Sequence, residues 1–272
     1  PKGFRFLARL MFGIRKPRKQ ALGVCYAGEV EAIGDKVTQF KAGDRVFGID
    51  SKGLGSFAEY VCKGESSPIA AIPDSLSYEE AAAIPFGAHT ALYFIEELGK
   101  VKEGDHVLIN GAAGSIGIYA TQMVKNTKAR VTAICSSSKV ELVRSLGADR
   151  VIDYTQEPIP ETKEAYSHIL DCAGKLTFSK HKYLLKKDGK FLAPAAGIKE
   201  MLGMIGNLFR KPKLLAGTPV EKAEPLRFLA GQVASGKLKS VIDQSYPMNE
   251  IIEAHRHVDG GHKKGSVIVR FQ

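Results

Sequence analysis

The sequence predicts an α/β protein in which a doubly wound parallel sheet is flanked, earlier and later in the chain, by a smaller β-rich unit. Three observations carry this expectation. From Asp105 onward, short apolar strands alternate with helical patterns, whereas the first third reads as short strands parted by Gly- and Asp-rich turns. The tail returns to that second style. Between the first strand and the first helix of the alternating region lies LINGAAGSIG, residues 108–117, a glycine turn that opens a helix.

The elements follow in order. Strands are expected in GVCYAGEVEAIG, in DRVFG after the turn KAGD, in GSFAEYVCKG and in IAAIP. Two helical patterns come next, SYEEAAAI and AHTALYFIEELG. The first has Ser77 as N-cap with Glu80 three residues on, the spacing of a capping box, and the second is closed by Gly99. The alternating region then runs HVLIN, a helix in IGIYATQMVKN, RVTAIC, a helix in KVELVRSLG, RVIDY, HILDCAG, a helix in LTFSKHKYLLKK, FLAPAA and KLLAGT. Its strands are continuous apolar runs, as strands buried on both faces must be. The tail reads as a helix around EKAEPLRFLAGQVASG, a strand near SVIDQ, a helix in MNEIIEAHRHV and a last strand SVIVRF. There is no internal repeat and no low-complexity tract.

With 272 residues, two medium domains fit better than one, and a hydrophobic share of 44% with 25% charged residues is ordinary for a globular protein. No run of about 18 apolar residues is present, so no membrane span is expected. Cys25, Cys62, Cys135 and Cys172 are scattered without a CxxC pair, which favours a reducing compartment, cytoplasmic with an organellar one as the alternative. The net charge of +10 resembles a nucleic-acid signal until it is located. PKGFRFLARLMFGIRKPRKQ holds seven Lys or Arg and no acid, and the rest of the chain is nearly balanced. That opening segment reads as a solvated connector broken by Gly13 and Pro17. A targeting peptide or surface-binding helix is the alternative, and no nucleic-acid partner is expected. The chain begins at Pro1 without an initiator Met, as a processed or truncated product would.

The turn Gly111-Ala112-Ala113-Gly114-Ser115-Ile116-Gly117 departs from GxGxxG in its middle glycine. Its context still points to a dinucleotide: it follows a strand, opens a helix and sits in a βαβ unit, so free helix N–H groups face a pyrophosphate. The alternative is a tight turn without a ligand. An NAD site carries Asp or Glu at the end of the second strand, about 20 residues on, to bind the ribose 2′-hydroxyl. Here no acid occurs between Gly117 and Glu141, and the strand ends in Cys135-Ser136-Ser137-Ser138-Lys139. Hydroxyls and a cation suit a 2′-phosphate, so NADP(H) is favoured over NAD(H).

These stretches, with AGEVEAIGDKVTQFKAGDRVFG, GSFAEYV, IPDSLSYEEAAAIPFGAHTAL, GDHVLINGAAGSIG, SLGADRVIDY and AHRHVDGGHKKGSVIV, resemble the medium-chain dehydrogenases/reductases, specifically the zinc-free quinone oxidoreductase group. The resemblance covers nearly the whole chain. It implies a Rossmann domain over residues 87–222 and a discontinuous GroES-like substrate domain over residues 1–86 and 223–272, with the cofactor in the cleft. Family members have further strands ahead of the point where this chain starts, so the substrate domain is expected to be incomplete. Carried over by position, Gly114, Ser115, Ile116 and Gly117 face the pyrophosphate, with Gly111, Ala112 and Ala113 in the same turn. Ser136, Ser137 and Lys139 meet the 2′-phosphate, Tyr154 the adenine side, and Thr90 and Cys172 the cleft.

Zinc-dependent relatives place a metal-binding His where Val24 stands, and a structural zinc needs four close cysteines that this chain lacks. His255, His257 and His262 offer the only other metal spacing. Residues 255 and 257 point to different sides of a helix, so no zinc is expected. Without a metal at the developing alkoxide, quinones and α,β-unsaturated carbonyls become the expected substrates, because conjugation spreads the incoming charge. No catalytic acid is assigned: Tyr26 and Tyr60 read as packing aromatics in strands, and Cys25 as a small buried hydrophobe. The rival expectations are a non-catalytic NADP-binding structural or regulatory protein and a zinc-type alcohol dehydrogenase. A homodimer is expected through the last Rossmann strand near KLLAGT, with the apolar stretch Met201–Phe209 beside it; burial of that stretch within the monomer is the competing reading.

Overall fold

The computed structural model describes residues 21–196 and 211–271. The basic opening segment and the Met201–Phe209 stretch lie outside the described residues. The first third forms an antiparallel sheet of β1 (Cys25–Glu29), β2 (Arg45–Ile49) and β3 (Ile69–Ala71) in that order. The strand expected in GSFAEYVCKG is not one. Its start bonds back to the segment before β1, through Phe57 N–H to the Leu22 carbonyl at 2.8 Å and Ser56 N–H to Gly23 at 3.3 Å. Beyond that the alternating residues have no covered face among the described residues, and Tyr60 is 73% exposed. An alternating pattern makes a strand only where one face is buried.

The two helical patterns of residues 77–99 fuse into one rod, α1 (Tyr78–Leu92) continued by a π-helical stretch, Tyr93–Gly99. The capping box forms as expected, with Glu80 N–H on Ser77 Oγ at 3.1 Å and Ser77 N–H on Glu80 Oε2 at 2.9 Å. Pro85 lies inside α1 and removes one ladder donor without ending it. At the far end Lys100, not Gly99, takes the left-handed position, at φ 53°. The Gly99 carbonyl meets His168 Nε2 at 3.0 Å and accepts from Lys190 Nζ, so the helix end is tied to the sheet.

The alternating region forms a six-stranded, wholly parallel sheet. Its strands are β4 (His106–Asn110), β5 (Arg130–Cys135), β6 (Arg150–Asp153), β7 (Tyr166–Asp171), β8 (Leu185–Leu192) and β9 (Lys213–Leu215), in the spatial order β6-β5-β4-β7-β8-β9. This is the doubly wound order, with the direction of growth reversing between β4 and β7. Two apolar cores cover its two faces. Val107 and Ile109 of β4 join α1 and α2 (Ser115–Asn126), while Leu108 joins Ile134, Ile152, Ile169 and Phe191 opposite. Between β5 and β6 lies α3 (Val140–Ser145).

LTFSKHKYLLKK is not one helix. Only α4 (Phe178–His181) and a 3₁₀ turn through Leu184 form, and Leu185-Lys186-Lys187 already belong to β8. Leu185 pairs with Tyr166 and is buried in the second core, so sheet pairing overrides the helical preference of a Leu- and Lys-rich run. The expected strand FLAPAA is the end of that same β8 and stops at Leu192.

The tail brings α5 (Ala223–Ala234), β10 (Ile242–Pro247), α6 (Ile251–Asp259) and β11 (Ser266–Arg270). β10 and β11 pair in parallel, with α6 as the crossover. α5 packs on α1 and β3, which returns the tail to the first third of the chain. The residue 86/87 division expected from the sequence falls inside α1, a helix shared by both parts.

Candidate cofactor site

The reversal of strand order opens a crevice beyond the carboxyl ends of β4 and β7, where open α/β sheets bind ligands. Its base is a buried hydrogen bond from Asn110 Nδ2, the last residue of β4, to Asp171 Oδ1, the last of β7, at 2.7 Å. Asp171 Oδ2 also accepts the Leu176 N–H at 2.8 Å, which fixes the loop after β7.

The glycine turn runs from β4 to α2. Gly111 has φ +76°, and a Cβ there would lie 3.0 Å from the Cβ of Ala173. A Cβ on Gly117 would sit 2.3 Å from the Gly111 carbonyl oxygen and 2.6 Å from Ala112 Cα, so this helix lies against its own turn in a way only glycine permits. Gly114 is the N-cap of α2 in extended conformation, and no side chain caps the helix or places an acid in its first turn. The first intrahelical bond runs from Ile118 N–H to the Gly114 carbonyl at 3.0 Å, so the Ser115, Ile116 and Gly117 amides have no acceptor within the helix. Ala112 and Ala113 are buried beneath the turn. This fits a diphosphate: a helix start that no side chain caps, a positive dipole end and a turn built of glycine and alanine.

The residues expected at the 2′-phosphate do come together at the ends of β5 and β6. Ser136 and Ser137 follow β5, Lys139 is only 7% exposed, and Tyr154 N–H bonds the Cys135 carbonyl at 3.1 Å while its ring is 56% exposed. Burial pushes the Lys139 ammonium below its usual range, while Cys135 and Asp243 pull it up and Lys264 lowers it further. Sequence reasoning missed an acid here. Parallel pairing sets Asp153 opposite Cys135, and its carboxylate takes a hydrogen bond from Ser137 Oγ at 2.5 Å. The Thr155 hydroxyl and N–H also donate to it, at 2.6 and 2.9 Å. Those bonds, the one from Ser137 first, tie the carboxylate to both loops and hold it below the usual carboxylate range. The signal was legible in RVIDY, one strand beyond the acid-free window.

Thr90 is half-buried near the end of α1. Cys172 follows β7 directly, its N–H on the Asn110 carbonyl at 3.0 Å, and burial followed by Asp171 pushes its thiol far up. The other unexpected member comes from the tail. Lys263 reaches the start of α2, donating to Ser115 Oγ at 2.6 Å, and Gly265 N–H bonds the Ala113 carbonyl at 2.8 Å. A pair of lysines before SVIV carries no local pattern that would reveal this.

The candidate metal donors do not fit a zinc ion. Val24 offers no ligand atom, and burial pushes the Cys25 thiol up to about 12. His257 Nε2 is taken by Asp243 at 2.6 Å, whereas the His255 ring stands edge-on to Phe57. No group of three or more His, Cys, Asp or Glu is placed to hold a metal among the described residues. Of the two tyrosines, Tyr26 lies in β1 with its hydroxyl buried and no partner among the described residues; burial and Asp50 push it up. Tyr60 is not in a strand. A separate apolar cavity of about 1270 Å³ lies between β1, residues 56–65, α6 and β11, away from the glycine turn.

Residues 7–74 match the alcohol dehydrogenase GroES-like domain, and residues 146–269 match a family described as zinc-binding dehydrogenase. A chloroplastic quinone-oxidoreductase, QR1, of Triphysaria versicolor is 36% identical over 255 residues, covering 89% of this chain and 77% of that protein. A 2-methylene-furan-3-one reductase of Solanum lycopersicum is 30% identical, over 91% of this chain and 62% of that one. Among solved structures, the quinone oxidoreductase of Coxiella burnetii superposes with a TM-score of 0.85 at 26% identity, covering 95% of this chain and 81% of that one.

Proposed function

Because the chain belongs to the medium-chain dehydrogenase/reductase superfamily, in its quinone oxidoreductase-like group, we propose that it uses NADPH to reduce quinones or α,β-unsaturated carbonyls without a metal. It is an NAD(P)H-dependent oxidoreductase of the quinone and enone class. The preference for the phosphorylated cofactor, the independence from zinc and the residue roles are our reading. The observation that carries it is the grouping of Ser136, Ser137, Lys139 and Tyr154 at the strand ends beside an uncapped glycine-turn helix.

Ser115, Ile116 and Gly117 hold the pyrophosphate with their backbone amides, and Gly111 and Gly117 let the backbone come close. Lys139 and Ser136 hold the 2′-phosphate. Ser137 donates to Asp153, which engages that carboxylate at the border of the site. Tyr154 borders the adenine, and Thr90 and Cys172 line the deeper cleft. When bound, a nicotinamide dinucleotide supplies a hydride, and the protein's work is to orient the acceptor and exclude water. Burial pushes the Cys172 thiol up, which disfavours a thiolate in the cleft that would attack an electrophilic substrate.

We assign residues 1–86 and 223–272 to the substrate-binding unit and residues 87–222 to the cofactor-binding unit. A homodimer joined through β9 follows from its edge position, and a reducing compartment, cytoplasmic or organellar, from the four free cysteines. No helix among the described residues is long and apolar enough to cross a membrane. Fluorescence titration with NADPH and NADH tests the cofactor reading: NADPH is expected to bind at least about tenfold tighter, about 1.4 kcal/mol, and equal affinities refute it. Elemental analysis tests the metal reading, and stoichiometric zinc would overturn it.

A further inference from the structure

The loop ahead of β11 places a cation where the fold disfavours one. Lys263 Nζ lies at the positive end of α2, donating to Ser115 Oγ at 2.6 Å and to the Gly265 carbonyl at 2.5 Å. Ser115 Oγ itself donates to the Gly265 carbonyl at 2.9 Å, and Gly114 and Gly265 form a parallel bridge. The helix dipole repels a cation at this end. Lys139, from the strand end, adds to the repulsion. The nearby acid, Asp243, is already bonded to His257 Nε2 at 2.6 Å, and Lys263 has no carboxylate in ion-pair range among the described residues. Burial, the largest influence, and Lys139 lower its ammonium, while Asp243 opposes them. A part-buried ammonium bonded to neutral oxygens at a helix start that no side chain caps is an arrangement that an anion completes.

We infer that Lys263 is a cofactor-affinity residue, which donates to the pyrophosphate at the start of α2 when the dinucleotide is bound. The inference rests on the proposed cofactor reading and deepens it. It divides the labour between two lysines from distant parts of the chain. Lys139 meets the group that distinguishes NADPH from NADH, while Lys263 meets the group the two share. Because Lys263 arrives on the tail segment that also pairs through Gly265, cofactor binding also clamps that segment to the Rossmann turn.

The test is Lys263→Met, which keeps length and removes charge, beside Lys263→Arg and Lys139→Met, with affinities for NADPH and NADH measured by titration and apo stability by urea unfolding. Lys263→Met is expected to weaken both nucleotides by a similar factor, about tenfold or more, with their ratio unchanged and the apo protein no less stable than wild type. Lys263→Arg should restore most of the affinity, and Lys139→Met should weaken NADPH alone. Unchanged affinity for both nucleotides in Lys263→Met overturns the inference, and so does a loss confined to NADPH. Lower stability with unchanged affinity makes Lys263 a structural tether and overturns it as well. If folded wild-type protein binds neither nucleotide, the cofactor reading itself falls, and with it this inference.

Discussion

Gly87 and Gly231 lie in α1 and α5, and the same substitution should act on them with opposite signs. Replacing Gly by Ala in a helix ordinarily stabilises it by about 1 kcal/mol, because the unfolded chain loses freedom and the helix gains a good former. At Gly231 a new Cβ meets nothing within 4 Å, so Gly231→Ala should realise most of that gain. At Gly87 the new Cβ would lie 2.4 Å from the Ser115 carbonyl oxygen and 3.0 Å from its carbon. An ordinary contact needs at least a further ~1 Å, and the obstacle is backbone at the start of α2, held by the glycine turn. Overpacking against rigid structure costs about 1–3 kcal/mol. At the upper end of that range Gly87→Ala comes out destabilising by about 2 kcal/mol even after the helix gain. In urea unfolding this lowers the midpoint by on the order of 1 M, with the slope unchanged. NADPH affinity should fall too, since the displaced atoms belong to the turn proposed to hold the pyrophosphate. A Gly87→Ala protein as stable as wild type, or a Gly231→Ala protein destabilised alongside it, would refute the close packing of α1 on α2.

Three further outcomes follow. Lys139→Ala should weaken NADPH by about tenfold or more while leaving NADH unchanged; an unaltered preference in fluorescence titration would return Lys139 to a structural role. Burial lowers the pKa of His89, His106 and His168, so below about 6.5 the unfolded chain binds protons that the folded chain refuses. Stability should therefore fall as pH drops from about 6.5 toward 5, and a flat urea-midpoint profile over that range would contradict it. Light scattering should report about twice the chain mass, and a charged pair placed within Met201–Phe209 should release monomer. A wild-type protein that stays monomeric at high concentration refutes the dimer.

The parallel sheet was legible because its strands are continuous apolar runs: HVLIN and RVTAIC are buried on both faces, and periodicity reports burial directly. The capping box at Ser77 was legible for a local reason, since its partners are three residues apart. What escaped depends on contacts distant in sequence. GSFAEYVCKG alternates like a strand, but no strand among the described residues pairs along it to cover one face. LLKK reads as helix until Tyr166 recruits Leu185 into the sheet. In the candidate site, the glycines and the Ser-Ser-Ser-Lys stretch were proposed from motif spacing. Asp153 arrives only through pairing of β5 with β6, and Lys263 through a loop 148 residues from its partner Ser115.

The most direct test of the account follows NADPH absorbance with a panel of quinones, enones and saturated ketones, with and without a metal chelator. NADPH should be consumed with at least one quinone or enone, more slowly with NADH, not at all with the saturated ketones, and regardless of the chelator. Tight NADPH binding without turnover of any conjugated acceptor would contradict it, as would chelator-sensitive reduction of saturated ketones.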